Sequence, residues 1–498
     1  MPGMNAGDSE MGSAAAARLS RAVLAIGLAA VAATLALRLW LGRGLPLWLD
    51  ESWTGMIATQ TSWSAFWREA WLDCNPPLYY AFMAGWTALA GASDTALRLP
   101  SMLFMALAAL LPLIVRVPGL GDRGRLGWAV LLCLWLPGMA MAVDARGYAL
   151  LLLLSVAQGI AFVRLMTHPA LGWGWLWASL ASLAALTHYH ALLLAGIQGL
   201  TLLARHKGAA LRLWPAAFPF VPAFGWLAIH APRLADYARP DIAWYEPMSA
   251  QLGGDFLLYA FGLGNWLLAG LVLTLVAASL WSKAGAEEKP SSDLGIRALA
   301  LTSLATLLGE LVLGSLRPML TDRYLVPVVP GLLLALILLI RIDRRGGTVR
   351  LAGLLLFYAL ALNPLALRAK LETKTSYGFA AASQSVRQSG AAHLVFSWDH
   401  PASRILDAGS LAKLGSFFLT REGAALPTRA VFLRPGEDGN LILNQAAGRD
   451  GAVIWIYNRA RISAARTYPP MPPHWQGRDC RLDRGPWGGT WACGPVRD

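Results

Sequence analysis

Charged side chains make up only 14% of this 498-residue chain, so the places where they gather beside apolar segments carry information. The first such place runs from Leu47 to Arg98. It holds the adjacent acids Asp50 and Glu51, then Asp73 just ahead of Asn75-Pro76-Pro77, and it closes on Arg98. A carboxylate within hydrogen-bond reach of a hydroxyl can take its proton as the oxygen attacks. Neighbouring side chains point in different directions, so one acid of the pair suits a base while the other orients it or holds a metal. The same pair also fits a plain helix start, with Asp50 as N-cap ahead of Ser52 and Thr54. The two prolines after Asn75 fix an extended backbone. The aromatic-rich run that follows suits the headgroup boundary of a bilayer, where a lipid-linked molecule would approach. A simple turn into a buried helix is the alternative.

Four further groups offer chemistry of a different kind. Asp144-Ala-Arg146-Gly-Tyr148 opens an apolar run: the acid and the cation could neutralise each other, or Arg146 could face a phosphate, which a guanidinium binds well. His188-Tyr189-His190 sets two imidazoles at a helix end, and their spacing does not put both on one helical face, so a two-histidine metal site is not implied. Asp322-Arg323-Tyr324 offers a cation and a hydroxyl ahead of Pro327 and Pro330, or alternatively an interfacial anchor pair. Glu310 falls inside an apolar run, where a carboxylate is costly unless it is paired or protonated.

What must position these groups follows from composition. The chain is 56% hydrophobic with a mean hydropathy of +0.48. Soluble domains carry about a quarter charged residues, so the charge depletion decides the class. Apolar runs near the roughly 20 residues needed to cross a bilayer recur from Ala22 to Leu367. The period-2 alternation of a membrane β-barrel is missing. The expected spans are 22–41, 97–115, 127–143, 148–166, 171–187, 190–204, 211–230, 255–281, 297–316, 324–340 and 350–367. The reading is a polytopic α-helical membrane protein with about 11 transmembrane helices. A net charge of +13 does not mean nucleic acid here, because much of the Lys and Arg sits in short clusters between apolar runs.

Those clusters also give the topology. The run Leu78 to Gly91 is short for a span and is expected to be an interfacial or re-entrant helix. If it does not cross, Arg116/Arg123/Arg125, Arg205/Lys207/Arg212, Lys283/Lys289/Arg297 and Arg341/Arg344/Arg345/Arg350 all share the side of Arg18 and Arg21. The N-terminus is then inside. Asp50, Glu51, Asp73, Arg98, Asp144, Arg146, His188, His190, Asp241, Glu246, Asp322 and Arg323 all come to the external face. Residues 1–17 are expected to be disordered, residues 18–370 to form the membrane domain with a first external loop at 42–97, and residues 371–498 to form a small external α/β domain. Its β-type runs are His393–Trp398, Arg429–Leu433 and Ala452–Tyr457, and the run YPPMPPH at 468–474 is expected to be a stiff loop. Cys480 and Cys493 could pair if that tail faces an oxidising compartment.

Taken in order, Leu49-Asp50-Glu51, Asp73-x-Asn75-Pro76-Pro77-Leu78-Tyr79-Tyr80, Ala96-Leu97-Arg98-Leu99-Pro100-Ser101, Asp144-x-Arg146-x-Tyr148, His188-Tyr189-His190 and Asp322-Arg323-Tyr324-Leu325-Val326-Pro327 resemble the GT-C membrane glycosyltransferases. The likeness is to the bacterial group that includes protein O-mannosyltransferases and lipid A aminoarabinose transferases, and it covers roughly residues 20–365. It implies sugar transfer, with inversion, from a polyprenyl-phosphate-sugar donor to an acceptor hydroxyl on a glycan, lipid or protein. The setting implied is the periplasmic face of a bacterial inner membrane, with the tail periplasmic. It implies Asp50, Glu51 and Asp73 as the catalytic acids and Arg98, Arg146, Arg323 and Tyr324 at the donor phosphate. Asp144, His188, His190 and Asn75 would support them. Asp50, Glu51 and His188 are candidate ligands if a divalent metal is used. Some relatives carry Lys or His directly before the double proline; Asn75 supplies no charge there, so the phosphate role shifts to an arginine. The rival readings are a polymerase or ligase that moves a whole lipid-linked glycan, and a flippase or transporter with no chemistry. The latter calls for charges at the bilayer midplane and paired broken helices.

Overall fold

The computed structural model describes residues 6–239, 245–281, 294–342 and 344–375, and in the tail 393–398, 408–421, 428–432, 452–457, 480–484 and 488–493. Asp241, Lys283, Lys289 and the run at 468–474 lie outside the described residues. The chain forms two compact units. One comprises Met1–Leu41, Arg98–Ile229 and Tyr245–Pro364; the other comprises Gly42–Leu97, His230–Trp244 and Leu365–Asp498. The loop 42–97 and the tail fall in one unit, where side chains from beyond Leu365 pack on the loop's helices.

The first unit is helical. Five helices are long and apolar enough to span: Arg21–Gly42 within α1 (Ala6–Gly42), α5 (Asp94–Ile114), Tyr148–Thr167, Leu294–Leu316 and Asp322–Leu339. Three bent pairs raise the number to as many as eight. The bends have local causes. Pro137 sits in the first turn of Leu136–Ala142, bending it 59° from Asp122–Leu134. Gly262, left-handed at φ 72°, caps Ala250–Phe261 before the 61° turn into Trp266–Trp281. The other three expected spans are the shorter helices Leu171–Ala185, Ala191–His206 and Val221–Tyr237. The last is preceded by a 3-10 turn at Trp214–Phe220, where Pro215 and Pro219 deny the backbone N–H donors of an α-helix. At the other end of the chain, α1 begins at Ala6, inside the segment expected to be disordered.

Within this unit the helices 294–316 and 329–339 approach closely at Gly331, where any Cβ would collide with the Ser303 side chain and the Leu299 carbonyl. Trp128 Nε1 donates to the Pro330 carbonyl at 2.9 Å beside this crossing. Phe256, Ala260, Leu307, Leu320, Leu325, Val328 and Leu332 form a core cluster that also buries Tyr324. The 3-10 turn Asp322–Val328 is therefore fixed from below by apolar packing.

The second unit holds α2 (Leu49–Ala58), α3 (Trp63–Leu72) and α4 (Leu78–Ala90). The short run at 78–91 is thus a 13-residue helix. Thr87 on α4 donates to the Ala58 carbonyl at the end of α2 at 3.3 Å. The tail contributes a helix, Ala408–Arg421, and five strands: β1 (His393–Trp398), β2 (Thr428–Phe432), β3 (Ala452–Tyr457), β4 (Cys480–Arg484) and β5 (Gly488–Cys493). They form one sheet in the order β2-β1-β3-β5-β4, parallel over the first three strands and antiparallel over the rest. β4 and β5 pair in a register that sets Cys480 opposite Cys493, and Cys480 is disulfide-bonded.

Candidate functional site

In the loop–tail unit, Asp50 and Glu51 both fall in the first turn of α2. The N-cap is Trp48, not Asp50, and Glu51 reaches back to accept the Trp48 N–H at 3.0 Å. A carboxylate that satisfies an orphan donor at a helix start is a structural device. Glu51 is fully buried in that role, whereas Asp50 stays half-exposed in the same turn. The adjacent acids therefore divide their work: Glu51 fixes the turn that presents Asp50.

Asp73 is also tied. It follows α3 in an extended conformation, and its Oδ1 accepts from the Asn75 backbone N–H (3.0 Å), Asn75 Nδ2 (2.9 Å) and Tyr80 Oη (2.9 Å). Asn75 thus serves Asp73 and sets the turn into Pro76-Pro77. Sequence reasoning missed what grips this turn from the other side. Arg233 Nε and Nη2 donate to the Leu72 carbonyl at 3.3 and 3.1 Å, as does the Tyr237 hydroxyl at 2.9 Å. His230 Nε2 donates to the Trp71 carbonyl at 2.9 Å. His230, Arg233 and Tyr237 recur at i, i+3 and i+7 in a largely apolar helix, one polar stripe on one face, and that spacing was the available signal.

The helix-bundle unit gathers the cations. Tyr324 lies with its ring centroid 4.5 Å from His188 and 4.6 Å from His190, and its hydroxyl is 3.0 Å from that of Tyr245. His188 also stacks at 5.8 Å on Tyr148, over whose ring the Arg323 guanidinium sits at 5.7 Å. Arg146 is buried two residues before Tyr148, and its carbonyl accepts from Ser101 on α5, less than one turn from buried Arg98. Asp144 is buried in the same turn. Asp322 is exposed, and its Oδ1 accepts the Arg323 backbone N–H at 2.7 Å. Glu310 acquires the partner its position requires: its Oε2 is 2.8 Å from His190 Nδ1. Neither Tyr245 nor the Glu310 partner could be read from spacing, since each lies far along the chain from the group it meets.

Burial holds the His188 imidazole well below its ordinary value of 6.5, and its neighbours His190, Arg323 and Arg146 add to the effect. The unfolded chain takes up this proton near the ordinary value while the folded chain does not, so this residue costs stability as pH falls below 6.5. The thermal midpoint of the detergent-solubilised protein should therefore drop between about pH 7 and pH 5, and His188→Gln should flatten that drop. Equal drops in both proteins would exclude His188 as the source.

Chemically, two guanidinium groups, two imidazoles and two tyrosyl hydroxyls around one turn suit an anion such as a phosphate. A divalent cation fits poorly. Among the described residues no three His, Cys, Asp or Glu side chains gather as ligands. Of the three candidate ligands, Glu51 is committed to its cap and His188 lies in the field of Arg146 and Arg323.

No protein-family model and no curated protein matches the chain. Solved structures do. ArnT from Cupriavidus metallidurans bound to undecaprenyl phosphate aligns with a TM-score of 0.54 at 14% identity, covering 94% of this chain and 97% of that one. The apo form of the same protein aligns with a TM-score of 0.54 at 13% identity and the same coverage. At such identity the likeness speaks to architecture, and it runs over nearly the whole of both chains. The chain therefore has the polytopic helical fold of the solved ArnT structures.

Proposed function

We propose that this protein is a membrane glycosyltransferase that moves a sugar from a polyprenyl-phosphate carrier to an acceptor hydroxyl. The observation that carries the reading is the cationic, aromatic-lined cluster of Arg146, Arg323, His188 and Tyr324 on a fold shared with a protein solved with undecaprenyl phosphate. In this reading Arg98, Arg146 and Arg323 hold the donor phosphate, and Tyr324 donates to it. Asp50 takes the acceptor's proton as its oxygen attacks the anomeric carbon. A new carbon–oxygen bond forms, the bond to the phosphate breaks with inversion, and polyprenyl phosphate leaves with the electron pair. The phosphate is already a leaving group, so the protein mainly orients the reactants and stabilises developing charge.

The disulfide at Cys480 supports an oxidising compartment for the tail, and hence reaction at the outer face of a bacterial inner membrane. The test uses the purified full chain in lipid with polyprenyl-phosphate sugars and candidate acceptors, with mass analysis of the carrier. Release of polyprenyl phosphate with one sugar transferred is expected. Consumption of a multi-sugar carrier would favour the ligase alternative, and no carrier turnover with any donor would overturn the reading. Removing one charge-assisted contact costs about 1.5–3 kcal/mol, so Arg323→Ala should weaken the donor roughly ten- to hundredfold.

A further inference from the structure

The tail sheet is more than an appendage. Gly55 lies on α2, five residues after Asp50, which is about 7.5 Å along the helix axis. A Cβ at Gly55 would stand 2.6 Å from Phe417 Cζ and 3.1 Å from Cε1, with Leu97 Cδ1 at 3.3 Å. The Phe417 ring thus lies against the bare backbone of the helix that carries Asp50, an approach no other residue at 55 would admit without displacement. Glycine inside a helix costs about 1 kcal/mol relative to alanine, so its use here needs a reason, and the ring supplies one.

Other contacts from the same region act on the same loop. Lys413, one turn before Phe417, brings its Nζ to 3.1 Å from Glu69 Oε1 on α3. Lys374 Nζ sits 3.6 Å from the ring centroid of Trp48, the N-cap of α2, and Arg368 Nη1 donates to the Arg43 carbonyl at 2.8 Å. The Lys413 side chain is 54% exposed, so its ion pair contributes at most about 1 kcal/mol and the ring contact is the stronger hold. The tail helix in turn lies beside β1 and β2. The first turn and the later half of α2 are therefore held by two separate parts of the chain beyond Leu365.

We propose that Phe417, seated on Gly55, is a positioning residue that sets the height and rotation of α2 and so aims Asp50 at the acceptor hydroxyl. The proposal rests on the reading of Asp50 as the base. A misplacement of 1 Å in a reacting geometry can cost about a hundredfold, so Gly55→Ala should lower kcat about tenfold with the donor KM unchanged. Alanine is the better helix former, so weakened helix propensity cannot account for that loss. Phe417→Ala should also lower kcat several-fold at unchanged donor KM, because the ring that seats α2 is gone. Full activity in Gly55→Ala, or a wild-type kcat in Phe417→Ala, would overturn the proposal. If Gly55→Ala is not recovered as folded protein, Phe417→Leu carries the test. Its kcat should fall several-fold at unchanged donor KM, and a wild-type value overturns the proposal. Asp50→Asn is assayed alongside. If it keeps transfer, the base assignment fails and the positioning role falls with it; if it loses transfer while Gly55→Ala and Phe417→Leu do not, only the positioning role fails.

Discussion

Replacing Asp50 with asparagine should lower sugar transfer by about 10²–10⁴-fold, the range that a positioned general base contributes. Asparagine keeps the shape of the side chain and removes its capacity to take a proton. The Trp48–Glu51 cap does not use the Asp50 side chain, so α2 should keep its start. Donor affinity should also hold, because the groups read as binding the phosphate are those of the bundle unit. The measurement is single-turnover transfer in membranes, with donor binding followed separately. Near-full transfer would remove Asp50 from the chemistry. Loss of both transfer and folding would move it into the structural class with its neighbour. Glu51→Gln makes the contrast. Its oxygen can still accept the Trp48 N–H but without charge, so a modest fall in thermal midpoint with transfer largely kept is expected.

The second large effect is expected at Glu310→Ala. Glu310 is 3% exposed within the helix Leu294–Leu316 and meets His190 Nδ1 at 2.8 Å. Removing one partner of a buried hydrogen bond leaves the other unsatisfied, at a cost of about 1–3 kcal/mol. The consequence should reach further than stability. His190 stacks on Tyr324, so an imidazole freed from Glu310 loosens one side of the aromatic group that carries the proposed phosphate donor. Tyr324 retains His188 on its other side and Tyr245 at its hydroxyl. The expected result is a lower thermal midpoint together with a raised donor KM and a smaller change in kcat. Glu310→Gln, which can still bond an imidazole, should restore most of both. A kcat loss with unchanged donor KM would count against the linkage from Glu310 to the phosphate site.

Much of the architecture was legible because membrane solvation leaves few options. A backbone in hydrocarbon must satisfy its own hydrogen bonds, so long apolar runs become helices, and each of the eleven expected spans is helical. The run 78–91 reads as a short helix by length alone, and it is one. The bends were less legible. Proline and glycine mark where a helix can break, but whether two halves count as one crossing depends on how the ends pack. Five continuous spans and three bent pairs account for eight of the eleven expected spans, and the other three are helices of 15–17 residues, short for a crossing. The strands of the tail were close to their apolar runs, with β3 at the expected Ala452–Tyr457 and β2 one residue earlier than Arg429–Leu433. Their order in the sheet was not readable, because pairing is a long-range choice.

The candidate site divides in the same way. Residue type and position along the chain marked Asp50, Arg146, His188, His190, Arg323 and Tyr324, since polar groups at the ends of apolar helices are costly and need partners. Sequence alone could not assign those partners. It favoured Asp50 over Glu51 by position, and only the fold shows Glu51 spending its carboxylate on the Trp48 N–H. It left Glu310 without a partner, and only folding brings it to His190, 120 residues away. It left the tail either packed on the rest or loosely attached, and the ring of Phe417 lies on Gly55 of the loop. Composition and periodicity act through solvent and backbone, which every residue meets locally, so the class, the helices and the list of chemical groups can be read along the chain. Pairing depends on which distant surfaces come within a few ångströms, and that the tertiary structure alone decided.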